Sequence, residues 1–286
     1  MQSMFSRLAR ALTNQHYSII AITGLDGHAY GSWAAKSSPW PMWLRHFLAR
    51  DRPQCRTMIY GYNSKLSEYG FANIKQYCQE FLQLVKLVRM KEAQKRPVFF
   101  IAHSFGGILL ARSLVKAHQT TQETDGTMAA LFPATYAVMF FAVPHYGIVV
   151  DDMVKMLGPD HPREQLLKEL SSGRDSLGEQ LEHFINIIQG RKIVSFVEAQ
   201  QTKRLIQNLE DGKWARSGEP STVLSYDDAI LKLPEWIEQK YTIHEDHSML
   251  VKFSAKTVTP YKVALQFLKE FEENASAVVR KRFCTS

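Results

Sequence analysis

Apolar and polar positions along the chain switch period many times, and the switches mark out its elements. Short apolar runs read as buried strands at 17–23, Arg56–Tyr60, Val98–Ala102, Thr135–Val143, Lys192–Val197 and Thr222–Ser225, the last predicted strand. Between them, apolar residues recur at helical spacing. Trp40, Trp43, Leu44, Phe47 and Leu48 share one face of a predicted helix over Pro39–Arg50. A longer amphipathic helix is predicted over Phe71–Lys91, stopped by Pro97. Ile108, Leu109, Leu110 and Leu114 start another, and a closing helix is predicted over Pro260–Phe271. Gln119–Gly126 and Ala199–Pro220 are polar and read as loops, the second with a turn at Asp211-Gly212.

Strands that alternate with helices from end to end predict an α/β fold, a mostly parallel sheet covered by helices on both faces. With no internal repeat and no long linker, the expectation is one domain over 1–286, with an extension at 1–15 and a tail at 275–286. One region breaks the alternation. Between Asp151 and Gly190 two or three amphipathic helices follow one another with no strand pattern. An insertion at 148–190, set over the carboxyl edge of the sheet, would act as a lid or substrate-shaping cap.

The richest stretch is the passage from the third buried run into a helix, through His103-Ser104-Phe105-Gly106-Gly107. A strand that becomes a helix in so few residues must turn sharply. Its apex residue is strained and its side chain is pushed out of the sheet, while small residues two places to either side, here Ala102 and Gly106, let the backbones pass. Ser104 is that apex. The glycine-rich loop after the first strand, Gly24 to Gly31, lacks the G-x-G-x-x-G spacing of a dinucleotide site, so no cofactor is expected. Its Leu25 N–H, with that of Phe105, can instead hold the negative oxygen of an attacked carbonyl. Gly24, Asp26, His103, His145 and Tyr146 are the candidate pocket residues; His103 is expected to point to the far side of the elbow and His145 to shape the pocket floor.

A serine hydroxyl needs a base, and the base an orienting acid, each at the carboxyl end of a strand in the order serine, acid, histidine. His247 is best placed as the base, with His244 its rival. Glu198 ends a strand, Asp227 and Asp228 follow the predicted last strand, and Asp246 adjoins the histidine, which leaves the acid open among them, Glu198 first. His244-x-x-His247 lacks the H-E-x-x-H or cysteine support of a metal site, so no metal is expected.

Composition narrows the class. A net charge of +7 is spread over the chain, with one dense cluster at Arg280-Lys281-Arg282; this reads as solvated surface rather than a nucleic-acid site, and leaves open a peripheral contact with an anionic membrane. Cys55, Cys78 and Cys284 show no paired spacing, which points to reduced thiols and a cytoplasmic setting. No run approaches a spanning helix. Met4, Phe5, Leu8, Ala9 and Leu12 with Arg7 and Arg10 form a weak mitochondrial presequence pattern, the alternative location; a plain surface helix is the simpler expectation.

The motifs together resemble a family. Thr23 to Trp33 is similar to H-G-L-x-G-H-x-x-x-S-W, Trp43 to Leu48 to W-L-x-x-x-L, and Tyr60 to Asn63 to Y-G-Y-N. Ala102 to Gly107 follows G-H-S-x-G-G, and Phe140 to Gly147 follows F-F-G-T-P-H-x-G. Ser195 to Glu198 follows S-F-x-E, and Asp246 to Phe253 resembles D-H-S-x-M-x-K-F. From Ile19 to Phe271 the chain resembles the serine-esterase and lipase α/β-hydrolases of the SERAC-like group and the hydrolase modules of fungal NLR-like proteins. The resemblance implies an α/β-hydrolase fold with Ser104 as nucleophile, Glu198 as acid, His247 as base, and Leu25 and Phe105 as oxyanion donors. Thr23, Ala102 and Ala142-Val143 depart from the pattern without touching the three side chains.

The expectation is therefore a serine hydrolase that cleaves a small-molecule acyl ester or thioester through an acyl-enzyme. Its rivals are acyl transfer or a non-hydrolytic cyclisation on the same fold, and a non-catalytic recognition module of a signalling protein. With no nucleotide-binding or repeat region following, a stand-alone hydrolase or single module is expected.

Overall fold

The computed structural model of the chain describes residues 4–7, 15–171, 175–207 and 214–284. Six strands run parallel: β2 (Tyr17–Ile22), β3 (Cys55–Gly61), β4 (Val98–His103), β5 (Thr135–Phe141), β6 (Lys192–Glu198) and β9 (Glu238–Ile243). A short β1 (Met4–Arg7) pairs antiparallel with β3 at one edge, so the order is β1-β3-β2-β4-β5-β6-β9. The apolar runs become central strands because every residue of β2, β4 and β5 is buried, as a strand covered on both faces requires.

The nine α-helices among the described residues include two short ones, α1 (Ala49–Asp51) and α5 (Leu131–Ala134). The larger ones are α2 (Ile74–Val88), α3 (Phe105–His118), α4 (Gln122–Ala129), α6 (Asp151–Leu157), α7 (Glu164–Leu170), α8 (Asp175–Ile188) and α9 (Thr259–Cys284). Successive strand side chains point to opposite faces, and the rings show which helix takes which face. Phe99 meets Phe271 of α9, whereas its neighbour Phe100 meets Phe81 of α2, and Phe140 meets Phe184 of α8. Helices α2, α3 and α8 thus pack side by side on one face and α9 on the other.

The structure departs from the sequence reading in several places. Met4–Arg7 is a strand, not part of a surface helix, and Leu8, Ala9, Arg10 and Leu12 lie outside the described residues. The helix expected from Pro39 begins as a π-wound turn at Leu44–Leu48 that runs into α1, and Trp40 is exposed rather than on its buried face. Helix α2 starts later than expected because Asn73 and Gln76 form a capping box, which leaves Phe71 outside and exposed. The loop expected at Gln119–Gly126 holds most of α4, capped in the same way by Thr121 and Thr124. Helix α9 continues to Cys284, burying Ala275 and Val279 where a tail was expected. Arg282, in the basic cluster, turns inward and donates to the carbonyls of Thr135 (2.7 Å) and Gly190 (2.6 Å).

Two differences matter for function. Ala199–Pro220 is not a loop but holds an antiparallel hairpin, β7 (Thr202–Gln207) with β8 (Trp214–Ser221); the turn expected at Asp211-Gly212 lies outside the described residues. Thr222–Ser225 is not a strand, and the last strand is β9. Of the helices between 148 and 190, α8 packs on α3 as a crossover helix, while α6 lies against the hairpin. Arg204 of β7 clasps Asp152 of α6 with two bonds, Nε to Oδ2 at 2.8 Å and an Nη to Oδ1 at 2.6 Å.

Candidate active site

The turn from β4 to α3 has the geometry its residues require. Ser104 holds φ 51° and ψ −128°, a region unfavourable for a non-glycine residue. The surrounding backbone fixes it there: Ser104 N–H donates to Phe141 O at 3.0 Å, and Gly107 N–H to Ser104 O at 2.9 Å. Gly106 is where α3 crosses the end of β2; a Cβ at that position would lie 2.4 Å from Thr23 O. Ala102 fits in the preceding strand, fully buried.

Above the elbow, three side chains distant in sequence meet. His247 Nε2 lies 2.9 Å from Ser104 Oγ, and His247 Nδ1 lies 2.6 Å from Glu198 Oε2. Glu198 ends β6 and His247 follows β9, which pairs with β6 up to Glu198 and Ile243. The segment that carries His247 is held on several sides. Asp246 Oδ1 accepts the N–H groups of Ser248 (2.9 Å) and Met249 (2.8 Å). His247 N–H donates to Thr202 Oγ1 at 3.2 Å, and Trp43 Nε1–H to Val251 O at 2.9 Å. Trp43 is itself wedged among Trp33, Phe253 and Tyr261.

His103 lies beside His247 rather than on the far side of the elbow: its Nε2 is 2.9 Å from His247 O. A carbonyl only accepts, so His103 carries its proton on Nε2. Burial, reinforced by the neighbouring His247, pushes its pKa down to about 3, so it stays neutral at any ordinary pH.

The loop after β2, which carries the Leu25 amide expected to face Ser104, is held by hydrogen bonds from its neighbours. Tyr62 Oη–H donates to Thr23 O at 2.9 Å, Ser64 Oγ–H to Gly24 O at 3.4 Å, and Asp26 N–H to Ser64 O at 3.3 Å. Gly24 approaches the elbow so closely that a Cβ there would meet Ser104 Cβ at 3.0 Å. Leu25 and Phe105 both line the space at Ser104.

Two cavities flank the serine. One, of about 330 Å³, is polar, walled by Gly24, Asp26, His28, Ser32, His103, Ser104, Arg216, His247 and Lys252 among others. The other, of about 130 Å³, is largely apolar, with Leu66, Phe105, Ile148, Met153, Met156 and Leu205 on its walls. Leu25, Asp26, Ser104, Arg216 and His247 are common to both. Burial raises the Asp26 carboxyl, opposed by the Leu66 N–H bond and by the charges of Lys65 and Arg216.

The other candidates are used elsewhere. The described walls of the two cavities include neither His145 nor Tyr146. His145 is buried edge-on against Phe140, its pKa lowered to about 3 by that burial, and Tyr146 carries the Lys232 ammonium 4.3 Å above its ring. Asp228 accepts from Ser225 Oγ at 2.6 Å, beside Asp227 in the same turn, while Asp246 caps the turn at His247. His244 is exposed, its carbonyl accepting from Gln200 Nε2 at 3.1 Å. Sequence reasoning missed Thr202, Leu205 and Arg216, which sit in what read as a polar loop. Lys252 had a signal, its place in the D-H-S-x-M-x-K-F-like stretch, but no role.

Comparisons with known proteins identify the family and the fold. The family described as "Putative serine esterase (DUF676)" matches residues 19–198. Protein SERAC1 of Danio rerio is 25% identical over 206 residues, covering 64% of this chain and 30% of its own length. Protein SERAC1 of Bos taurus is 23% identical over 272 residues, covering 88% and 38%. The chain thus spans about a third of the length of these curated relatives. Among solved structures, the mature form of the Bacillus licheniformis lipase BlEst2 superposes with a TM-score of 0.57 at 12% identity, over 93% of this chain and 97% of that one. That likeness shows a shared fold.

Proposed function

The chain belongs to the DUF676 serine esterase family, and on that premise we propose that it is a serine hydrolase that cleaves a carboxylic ester or thioester through an acyl-enzyme. One observation carries the reading: Ser104 Oγ, His247 and Glu198 form a continuous hydrogen-bonded line, at 2.9 and 2.6 Å, beside two backbone amides. In this mechanism His247 Nε2 takes the proton of Ser104 as Oγ attacks the carbonyl carbon. Glu198, through Nδ1–H, fixes the tautomer and steadies the imidazolium. The N–H groups of Leu25 and Phe105 receive the oxyanion, a contribution typically worth a hundredfold or more per donor. The imidazolium then protonates the leaving oxygen or sulfur. Water, activated by the same histidine, releases the acid and restores Ser104. Trp43, Asp246 and His103 hold the segment that carries the base.

Turnover of a nitrophenyl butyrate by the wild type and by Ser104→Ala, His247→Ala and Glu198→Gln tests the assignment. The expected result is hydrolysis by the wild type, loss in the first two variants and severe loss in the third. Undiminished turnover in Ser104→Ala would place the chemistry elsewhere; inertness of the folded wild type toward every ester and thioester tried would favour a recognition module.

A further inference from the structure

The two spaces beside Ser104 differ in size and in charge, and the difference constrains both halves of a substrate. The apolar one is about 130 Å³. A dry apolar cavity of roughly 150 Å³ holds benzene, about six carbons. An acyl group confined to this space, and kept out of the adjoining one of about 310 Å³ that shares Met153, Leu205 and Val223 with it, is therefore short. Leu66, Ile148, Met153, Met156 and Leu205 offer it only hydrocarbon and thioether contacts.

The polar space carries Lys252, and Arg216 stands at the boundary it shares with the apolar space. Among the described residues neither makes an ion pair with a carboxylate. Arg216 donates one described hydrogen bond, to Lys203 O at 3.2 Å, and Lys252 Nζ one, to Ser248 Oγ at 3.3 Å. Lys252 is partly buried, and that burial lowers its pKa. Asp26 is the one carboxylate described on these walls, and its Oδ1 already accepts from Leu66 N–H at 3.2 Å. Two cations against one carboxylate, beside a nucleophile, are arranged to receive an anion.

On the hydrolase reading above, we infer that the substrate is a short-chain acyl ester or thioester, of about six carbons or fewer in the acyl group, whose alcohol or thiol half carries an anionic group, phosphate or carboxylate. The acyl chain lies among the methionines, and the anion rests between Arg216 and Lys252. Ser104 Oγ bonds to the acyl carbon as the carbon–oxygen or carbon–sulfur bond to the leaving half breaks. The serine proton passes through His247 Nε2 to the leaving atom. The anionic alcohol or thiol departs, and water completes release of the short-chain acid. Arg216 and Lys252 act as specificity residues, since they select the leaving half without joining the proton transfers.

The test compares matched esters: the butyryl ester of ethylene glycol, that of ethylene glycol monophosphate, and that of 3-hydroxypropanoate, with a hexanoyl and a dodecanoyl version of each. The expected result is a kcat/KM at least tenfold higher for an anionic ester than for the neutral one at low ionic strength, narrowing as salt is added. The two anionic arms separate phosphate from carboxylate recognition. Arg216→Gln and Lys252→Gln should each shrink the anionic-to-neutral ratio several-fold, and Arg216→Lys should restore most of it, which a merely misfolded hairpin would not do. Dodecanoyl esters should fall at least tenfold below hexanoyl ones. Cleavage of the neutral ester with no preference for charge, or a ratio unmoved in both glutamine variants, overturns this inference and leaves the hydrolase reading intact; so does a preference for dodecanoyl. No turnover of any ester together with no fluorophosphonate adduct on Ser104 overturns both.

Discussion

The rim of the sheet and the cover above it are built on opposite principles. Ser104, Glu198 and His247 sit at or just beyond the ends of β4, β6 and β9, and β4 and most of β6 are fully buried. Their positions follow from core packing and from the register of strands, and small displacements would disturb many contacts at once. The cover, α6 with the β7–β8 hairpin, is mostly exposed and is fastened at its seam by the Arg204–Asp152 pair. On the proposed mechanism, chemistry sits on the tightly packed part of the molecule and substrate selection on its more exposed cover. In such an arrangement, changes in the rim should abolish activity or folding outright, while changes in the cover should retune activity at little expense in stability.

The sharpest break of that contrast lies in the rim. Ser104→Ala or His247→Ala should lower kcat by about 10⁶ and Glu198→Gln by about 10⁴, as such residues do when they act as a unit; steady-state kinetics on one ester checks this, with circular dichroism to confirm the fold. Next in size is the support beneath the base. Trp43→Ala removes a fully buried ring and the donor to Val251 O, and should destabilise the protein by about 3–5 kcal/mol, read from urea unfolding.

The pH dependence of stability follows from two buried histidines. His103 and His145 titrate near pH 3 in the folded chain and near about 6.5 when unfolded. Between those values the unfolded chain binds more protons, so stability is full above the unfolded value and is lost as pH falls toward 3. Each histidine should contribute a slope of about 1.4 kcal/mol per pH unit over that window. Denaturation between pH 7.5 and 4.5 should show the decline, and His145→Gln should flatten it. The smallest effect belongs to the cover: Arg204→Ala breaks an exposed pair and should change stability by less than about 1 kcal/mol. It should still alter kcat/KM, because Leu205 and Arg216 stand on the same hairpin. A large loss of stability there would erase the distinction between rim and cover.

The same contrast explains what could be read before any coordinates. The β4 run, with the elbow and α3 behind it, is legible because burial on both faces demands unbroken apolar sequence and close passage demands Gly106. The residues gathered at Ser104 lie in short motifs whose spacing marks strand ends. The hairpin left no such mark. Its side chains point mostly to solvent, so Lys203, Arg204, Arg216 and Glu219 read as a polar loop, and Arg216 was invisible as a wall of the site. β9 escaped for a related reason. It opens on Glu238, a buried acid that accepts from Ser195 Oγ, Leu231 N–H and Leu233 N–H, and a charged residue at the start of a strand breaks the apolar pattern. His103 was misjudged because alternation along β4 does not extend through a residue adjoining a positive φ.

The most direct measurement is covalent labelling with a fluorophosphonate, followed by intact mass and peptide mapping. A single adduct on Ser104, absent from Ser104→Ala and slowed by three orders of magnitude or more in His247→Ala, is the predicted result. A wild-type protein that is folded yet takes up no label, or labels at another residue with Ser104 untouched, would contradict the account.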